Sequence, residues 1–226
     1  MRNIAVIPAR GGSKRIKNKN IRKFINKPII FYVIEILKKS KFFDKIILST
    51  DSKKIAKICK NKVDIVIHRP KNLADDFTST HSVVKHAINY LKLNDYKFVN
   101  VLCAYPTSVF LNKDIIKNAF KKLKGKNYIF SAVKYSHPIE RSFIKHKNQI
   151  KLNFKNQIDS RTQDIRSSFH DAGQFYLANT KVWLKNNEII SNNSSIIEIS
   201  AKKCHDIDYL EDWKYSEHMW RYLKNE

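Results

Sequence analysis

Short, mainly apolar runs alternate along this chain with stretches in which apolar positions recur every three or four residues. The mainly apolar runs fall at residues 3–8, 45–50, 63–67, 98–104 and 128–133, the spaced ones at 28–40, 52–60, 80–93 and 112–123. Mainly apolar runs of this length suit strands buried on both faces, and the spaced ones suit amphipathic helices. Val84, Ala87, Ile88 and Leu91 fall on one helical face, as do Ile115, Ile116, Ala119, Phe120 and Leu123. Pro28 suits a first helical position, and Ser52 and Asn112 suit N-caps.

Strands of this kind, alternating with helices, predict an α/β fold with a mainly parallel sheet covered on both faces. Ligands of such sheets bind beyond the carboxyl ends of the strands. The segments that follow strands therefore carry the interest: 9–20, Asp51, 69–80, 105–108 and 205–208. From 134 to 169 the alternation fails, leaving polar, irregular sequence with β-like pieces at 142–145 and 149–154. This stretch reads as an excursion from the sheet, an oligomerisation arm. Regular patterning returns at 173–178, 195–200 and a last helix at 210–224, where Trp213 and Trp220 read as packing residues. No internal repeat is present, and residues 1–226 read as a single domain.

Composition changes this picture in three respects. With 42% hydrophobic residues, the chain can bury a sizeable core. The formal charge of +24 favours polyanionic ligands, but its lysines are scattered along the whole chain, so a specific nucleic-acid partner is not expected. Cys59, Cys103 and Cys204 are odd in number and lack metal-type spacing, which predicts free thiols in a reducing compartment. The opening apolar run is too short for a signal peptide and no later run is of membrane-spanning length, so the expectation is a cytoplasmic protein without membrane insertion.

Candidate chemistry begins behind the first strand. Two of only four glycines in 226 residues, Gly11 and Gly12, sit side by side there, amid Arg10, Ser13, Lys14, Arg15, Lys19 and Asn20. Glycine backbone can adopt positive φ and converge N–H groups on an anion, so residues from Ala9 to Lys14 suggest a polyphosphate cradle. The alternative is a flexible turn with solvated charges. In His205-Asp206-Ile207-Asp208, an extended backbone directs Asp206 and Asp208 to the same side, as a pair for Mg²⁺ or as an ordinary polar strand end. Arg161, in Ser160-Arg161-Thr162-Gln163-Asp164, could pair with a carboxylate substrate, and Gly173 would permit close backbone approach; a loop and a strand start explain these residues equally well. Arg69 and Thr78-Ser79-Thr80 read either as base or ribose contacts or as the N-cap region of a helix.

Ile7-Pro8-Ala9-Arg10-Gly11-Gly12-Ser13-Lys14 with Lys19-Asn20 resembles the signature of the cytidylyltransferases that activate nonulosonic (sialic-type) acids. The resemblance continues, in order, through Ser49-Thr50-Asp51, Arg69-Pro70, Leu73-Ala74-Asp75-Asp76, Tyr105-Pro106-Thr107 and Asp206-Ile207-Asp208. Arg161-Thr162-Gln163-Asp164 with His170-Asp171-Ala172-Gly173-Gln174-Phe175-Tyr176 is most similar to the pseudaminic acid branch of that family.

The resemblance implies a three-layer α/β/α, Rossmann-like nucleotidyltransferase fold that forms a homodimer through the excursion. It implies CTP held by Arg10, Ser13, Lys14, Lys19 and Asn20, with Arg10 and Lys19 catalytic and Arg69 and Thr80 at the nucleoside end. It also implies Mg²⁺ on Asp206 and Asp208, and a nine-carbon acidic sugar near Tyr105, Arg161, His170, Gln174 and Tyr176, with Arg161 reaching into the partner's site. The implied reaction joins CMP from CTP to the anomeric hydroxyl of pseudaminic acid and releases pyrophosphate, supplying a donor for glycosylation of surface proteins such as flagellin. Legionaminate, N-acetylneuraminate and other nonulosonates are the alternative substrates. A nucleic-acid-binding protein and a glycosyltransferase using a preformed nucleotide sugar are rivals from other classes. The chain departs from the family pattern at Arg15-Ile16-Lys17, where glycine, a hydrophobic residue and proline are commoner. It departs from the sialic acid members at Tyr105 and at His170-Asp171-Ala172, which argues against N-acetylneuraminate.

Overall fold

A computed structural model describes residues 2–155, 161–185 and 188–225. The strands are β1 (Asn3–Pro8), β2 (Lys23–Phe24), β3 (Lys27–Pro28), β4 (Lys45–Thr50), β5 (Ile65–His68), β6 (Asn100–Ala104), β7 (Tyr128–Lys134), β8 (Phe143–His146), β9 (Gln149–Leu152), β10 (Phe169–Asn179) and β11 (Ser195–Glu198). The helices are α1 (Ile29–Ser40), α2 (Lys53–Cys59), α3 (Thr80–Leu93), α4 (Lys113–Lys122), α5 (Thr180–Lys185) and α6 (Leu210–Asn225). Seven strands form one sheet in the order β11-β7-β10-β6-β1-β4-β5. All its pairings are parallel except those of β10, which runs antiparallel to β6 and to β7.

The mainly apolar runs follow from this burial. Along β1, Ala5 and Ile7 face one core with α1, α2 and α4, while Ile4 and Val6 face the other with α3 and α5. β6 divides the same way, Leu102 and Ala104 against Val101 and Cys103. Alternation at period two therefore feeds two cores, giving the three layers. Cys59 and Cys103 are buried free thiols in these cores; Cys204 is free and half-buried. Among the described residues no helix is long and apolar enough to cross a membrane.

Local signals hold where side chains close helix ends. Ser52 accepts from Ile55 N at 3.3 Å, and Asn112 from Ile115 N at 2.9 Å. Pro28 is a correction: it precedes helix α1, in the extended conformation, because it pairs with Lys23 in a two-residue ribbon. The excursion does leave the sheet, between β7 and β10, and carries the small β8–β9 hairpin. Ser160, and with it residues 156–160 of the excursion, lies outside the described residues.

The chain runs β1, β4, β5 to one side, then crosses back to place β6 on the other side of β1. This reversal opens a crevice at the carboxyl ends of β1 and β6, the usual ligand position in open α/β sheets. Because β10 is antiparallel, its beginning arrives at that same end. Tyr105 N donates to the Gln174 carbonyl at 3.0 Å.

Candidate active site

A cleft of about 350 Å³ occupies the crevice, lined by the loops after β1, β5 and β6 and by the segment before α6. A second, of about 530 Å³, adjoins it, and the two share Tyr105, Thr107 and Asp206. Arg10, Ser13, Lys14, Lys19, Asn20, Arg69, Thr80, Asp206 and Asp208 all line the first cleft. His170 and Gln174 line the second. Of the remaining expected site residues, Ala9, Gly11, Gly12, Tyr176 and Arg161 line neither. Ala9 is fully buried and donates its N–H to the Ser49 carbonyl at 2.9 Å. Tyr176 lies beneath Tyr105, their rings edge-on at 5.7 Å, and Arg161 is exposed in the excursion.

The glycine pair works differently from the expected cradle. Neither Gly11 nor Gly12 has positive φ; among glycines that conformation belongs to Gly125 and Gly173. Gly11 is required by close approach, since a Cβ there would meet Ser52 Cβ at 2.9 Å. Its N–H is already taken by Asp51 Oδ1 at 2.9 Å. Gly12 faces open space, with nothing within 4 Å of a built Cβ. The loop is further held by Asn20, 6% exposed, whose amide donates to the Arg10 carbonyl at 2.9 Å.

Asp206 and Asp208 reach the cleft because the residue between them does not. Ile207 is 2% exposed and packs in a satellite core with Ile16, Phe24, Tyr32 and Trp213. That core fastens α6 and the segment before it onto the loop after β1. Across the seam, Arg15 Nη1 lies 2.7 Å from Asp208 Oδ2 and Lys19 Nζ 3.5 Å from Asp208 Oδ1. Lys19 also donates to the Ile207 carbonyl at 2.6 Å.

On the opposite wall, Asp76 receives Arg10 at 2.6 Å and Lys14 at 2.6 Å. These two partners hold its carboxyl below the usual carboxylate range. Arg69 is 7% exposed, and its Nε has no hydrogen-bond partner in the structure. Burial pulls its guanidinium below the ordinary value, Asp51 at 4.0 Å offsets this, and Arg10 adds to it. Arg69 lines the cleft, and its buried Nε is an unsatisfied donor beneath that wall.

The second cleft owes its shape to a β-bulge. Between Asp171, opposite Ala132, and Tyr176, opposite Phe130, the register of β10 slips, and Gly173 takes φ 58° within it. The bulge presents Asp171, Gly173 and Gln174 to the cleft. Asp171 is pinned there, accepting from Gly173 N at 2.8 Å and from the Tyr176 hydroxyl at 2.6 Å. Tyr105 hydrogen-bonds Thr80 on the nucleotide side, and burial pushes the Tyr105 and Tyr176 phenols up, keeping both protonated. Gln174 donates to the Lys203 carbonyl at 2.5 Å, while its Oε1 is buried without a partner.

Asp51, Asp76 and Arg15 carry contacts that no role read from the sequence included. Asp51 and Asp76 lie in post-strand segments, but only the folded chain pairs them with Gly11, Arg10 and Lys14. Among the described residues no group of three or more His, Cys, Asp or Glu side chains is placed to hold a metal. Of the four carboxylates lining the first cleft, Asp75 is engaged within its own turn and Asp76 with Arg10 and Lys14, which leaves the two flanking Ile207 as the candidate donors. Such a hard oxygen pair fits Mg²⁺, which commonly takes one or two carboxylates and fills its other positions with phosphate oxygens and water.

A reversed α/β crevice lined by clustered cations, next to a second polar cleft, is the arrangement a nucleotidyltransferase needs, with a place for a polyphosphate beside a place for its acceptor. A family model described as cytidylyltransferase matches residues 4–224, and the chain belongs to that family. Pseudaminic acid cytidylyltransferase from Campylobacter jejuni is 36% identical over 225 residues, 98% of this chain and 97% of that one. CMP-N,N'-diacetyllegionaminic acid synthase from Legionella pneumophila is 29% identical, over 96% of this chain and 95% of its own. The solved structure of a CMP:2-keto-3-deoxy-manno-octonic acid synthetase complexed with CTP superposes with a TM-score of 0.71 at 11% identity, covering 99% of this chain and all of that one. That likeness bears out the expected three-layer nucleotidyltransferase fold.

Proposed function

We propose that this chain transfers CMP from CTP to the anomeric hydroxyl of pseudaminic acid, giving CMP-pseudaminate and pyrophosphate. The observation that carries the reading is the wall of Tyr105, Thr107 and Asp206 common to both clefts. A nucleotide in the first and a sugar acid in the second would meet there. The identity of 36% with a pseudaminic acid cytidylyltransferase, against 29% with a legionaminic acid synthase, supports the choice of sugar.

In this reading the sugar hydroxyl oxygen bonds to the α-phosphorus as its proton passes to solvent water. The bond from that phosphorus to the β-phosphate oxygen breaks, and its electron pair leaves with pyrophosphate. Arg10, Ser13 and Lys14 bind the phosphates, with Asn20 fixing the loop through the Arg10 carbonyl. Lys19, held by the Ile207 carbonyl, offsets charge that grows in the transition state. Arg69 and Thr80 bind the nucleoside end. His170, Gln174 and Tyr105 bind the sugar acid, with Tyr176 buttressing Tyr105. Asp206 and Asp208 would hold Mg²⁺, which would supply charge compensation for the phosphates.

The chain acts as a single domain, in the cytoplasm, as a homodimer through the excursion. Phe143 and Ile150 share one face of the β8–β9 hairpin and are 56% and 63% exposed, a face that a second copy would cover. In such a dimer Arg161 is free to reach the partner's sugar cleft. Phe143→Asp with Ile150→Asp should sediment as a monomer; a retained dimer would discard this face.

Pyrophosphate release from CTP with a panel of nine-carbon acids tests the reaction. Pseudaminate should give the highest kcat/KM. Preference for legionaminate or N-acetylneuraminate would refute the choice of sugar, and no release with any acid would refute the reaction.

A further inference from the structure

We propose that Asp76 is a stand-in anion for the triphosphate: it holds Arg10 and Lys14 in receiving position and is displaced when nucleotide enters. The inference rests on the assignment of those two cations to the phosphates.

The geometry has the form of an anion site already filled. One carboxylate oxygen of Asp76 meets Arg10 Nη1 at 2.6 Å and the other meets Lys14 Nζ at 2.6 Å. The same Arg10 nitrogen also donates to the Asp75 carbonyl at 2.9 Å. A carboxylate shared between two cations in this manner mimics two non-bridging phosphate oxygens. The presentation of Asp76 is built in. Its neighbour Asp75 spends its own carboxylate within the turn, accepting from Phe77 N at 3.0 Å and from the Thr78 N–H and hydroxyl, each at 2.6 Å. Asp76 is thereby left to point at the loop, in a cleft that Asp75, Asp76 and Thr78 all help to line.

Two consequences follow from electrostatics. The Asp76 pairs are solvent-exposed, with the Lys14 side chain 79% exposed, and ion pairs of that kind contribute little and exchange readily. A polyphosphate carries more charge than one carboxylate and outcompetes it for the same cations. Once displaced, Asp76 repels the phosphates and lowers affinity for both CTP and pyrophosphate. It is a positioning residue, acting through Arg10 and Lys14, and it favours product release at the expense of nucleotide binding.

The test is calorimetric titration of the full chain and of Asp76→Asn with CTP, pyrophosphate and CMP, at two salt concentrations. Asp76→Asn should bind CTP and pyrophosphate about three- to tenfold more tightly, more so at low salt, with CMP affinity unchanged because CMP lacks the β- and γ-phosphates. A purely structural role would instead weaken all three ligands or none. Unchanged or weaker CTP binding in Asp76→Asn, while Lys14→Ala weakens CTP, overturns the stand-in role. If Lys14→Ala leaves CTP binding intact, the assignment of this loop to the triphosphate fails instead, and the stand-in role fails with it.

Discussion

The ammonium of Lys19 stands 3.5 Å from a carboxylate oxygen of Asp208, joining the loop behind the first strand to the segment before the last helix. It is anchored by the Ile207 carbonyl at 2.6 Å, so its position is set by backbone as well as by charge. A cation fixed in this way needs little reorganisation when charge builds on a phosphate. Lys19→Ala should therefore lower kcat by roughly 10²–10³, the usual cost of removing one preorganised electrostatic stabiliser. Steady-state kinetics with CTP and pseudaminate decide it, and near-normal turnover removes Lys19 from the reaction.

Asp208 answers to two cations, Arg15 and Lys19, and to its proposed metal. Asp208→Ala should raise the Mg²⁺ concentration needed for half-maximal turnover sharply while leaving the fold intact. A magnesium titration indistinguishable from that of the parent chain would discard the carboxylate pair.

Gly11 and Gly12 should behave oppositely. A methyl group at residue 11 meets Ser52 Cβ at 2.9 Å and strains the N–H bond to Asp51, whereas at residue 12 it meets nothing within 4 Å. Gly11→Ala should cost about 1–3 kcal/mol, the range for overpacking, and Gly12→Ala within about 0.5 kcal/mol, as for open surface. Thermal melts compare them, and equal melting temperatures would contradict the close-approach account.

Burial pushes the Cys59 thiol up from 9.0 to about 11. Because the folded pKa is the higher one, the stabilisation is complete below pH 9 and is lost as pH rises from there through about 11. The difference between the two values amounts to about 2–3 kcal/mol. Urea unfolding of the parent and of Cys59→Ala across this range should show the parent losing stability faster, by that amount. Parallel curves would mean that the thiol does not titrate with folding.

How far the sequence carried can be traced in particular residues. The two cores were legible because β1 and β6 are apolar at every position after their opening asparagines, and the N-caps because Ser52 and Asn112 act within three residues of themselves. The cations of the cleft were legible from their density behind one strand. What escaped depends on distant partners. Asp76 falls in a stretch that carries the family resemblance, but its pairing with Arg10 and Lys14, more than 60 residues away, has no local mark. Gly11 looked like a positive-φ cradle because sequence shows a glycine but not Ser52 packed against it. The positive-φ glycine that shapes a cleft is Gly173, in the β10 bulge, a feature that only strand register reveals.

The most direct test of the account is a crystal structure with CTP and Mg²⁺ bound. It should show the triphosphate on Arg10, Ser13 and Lys14, the base end beside Arg69, and the ion between Asp206, Asp208 and the phosphates. A nucleotide bound away from the loop behind the first strand, or an ion on other ligands, would contradict it.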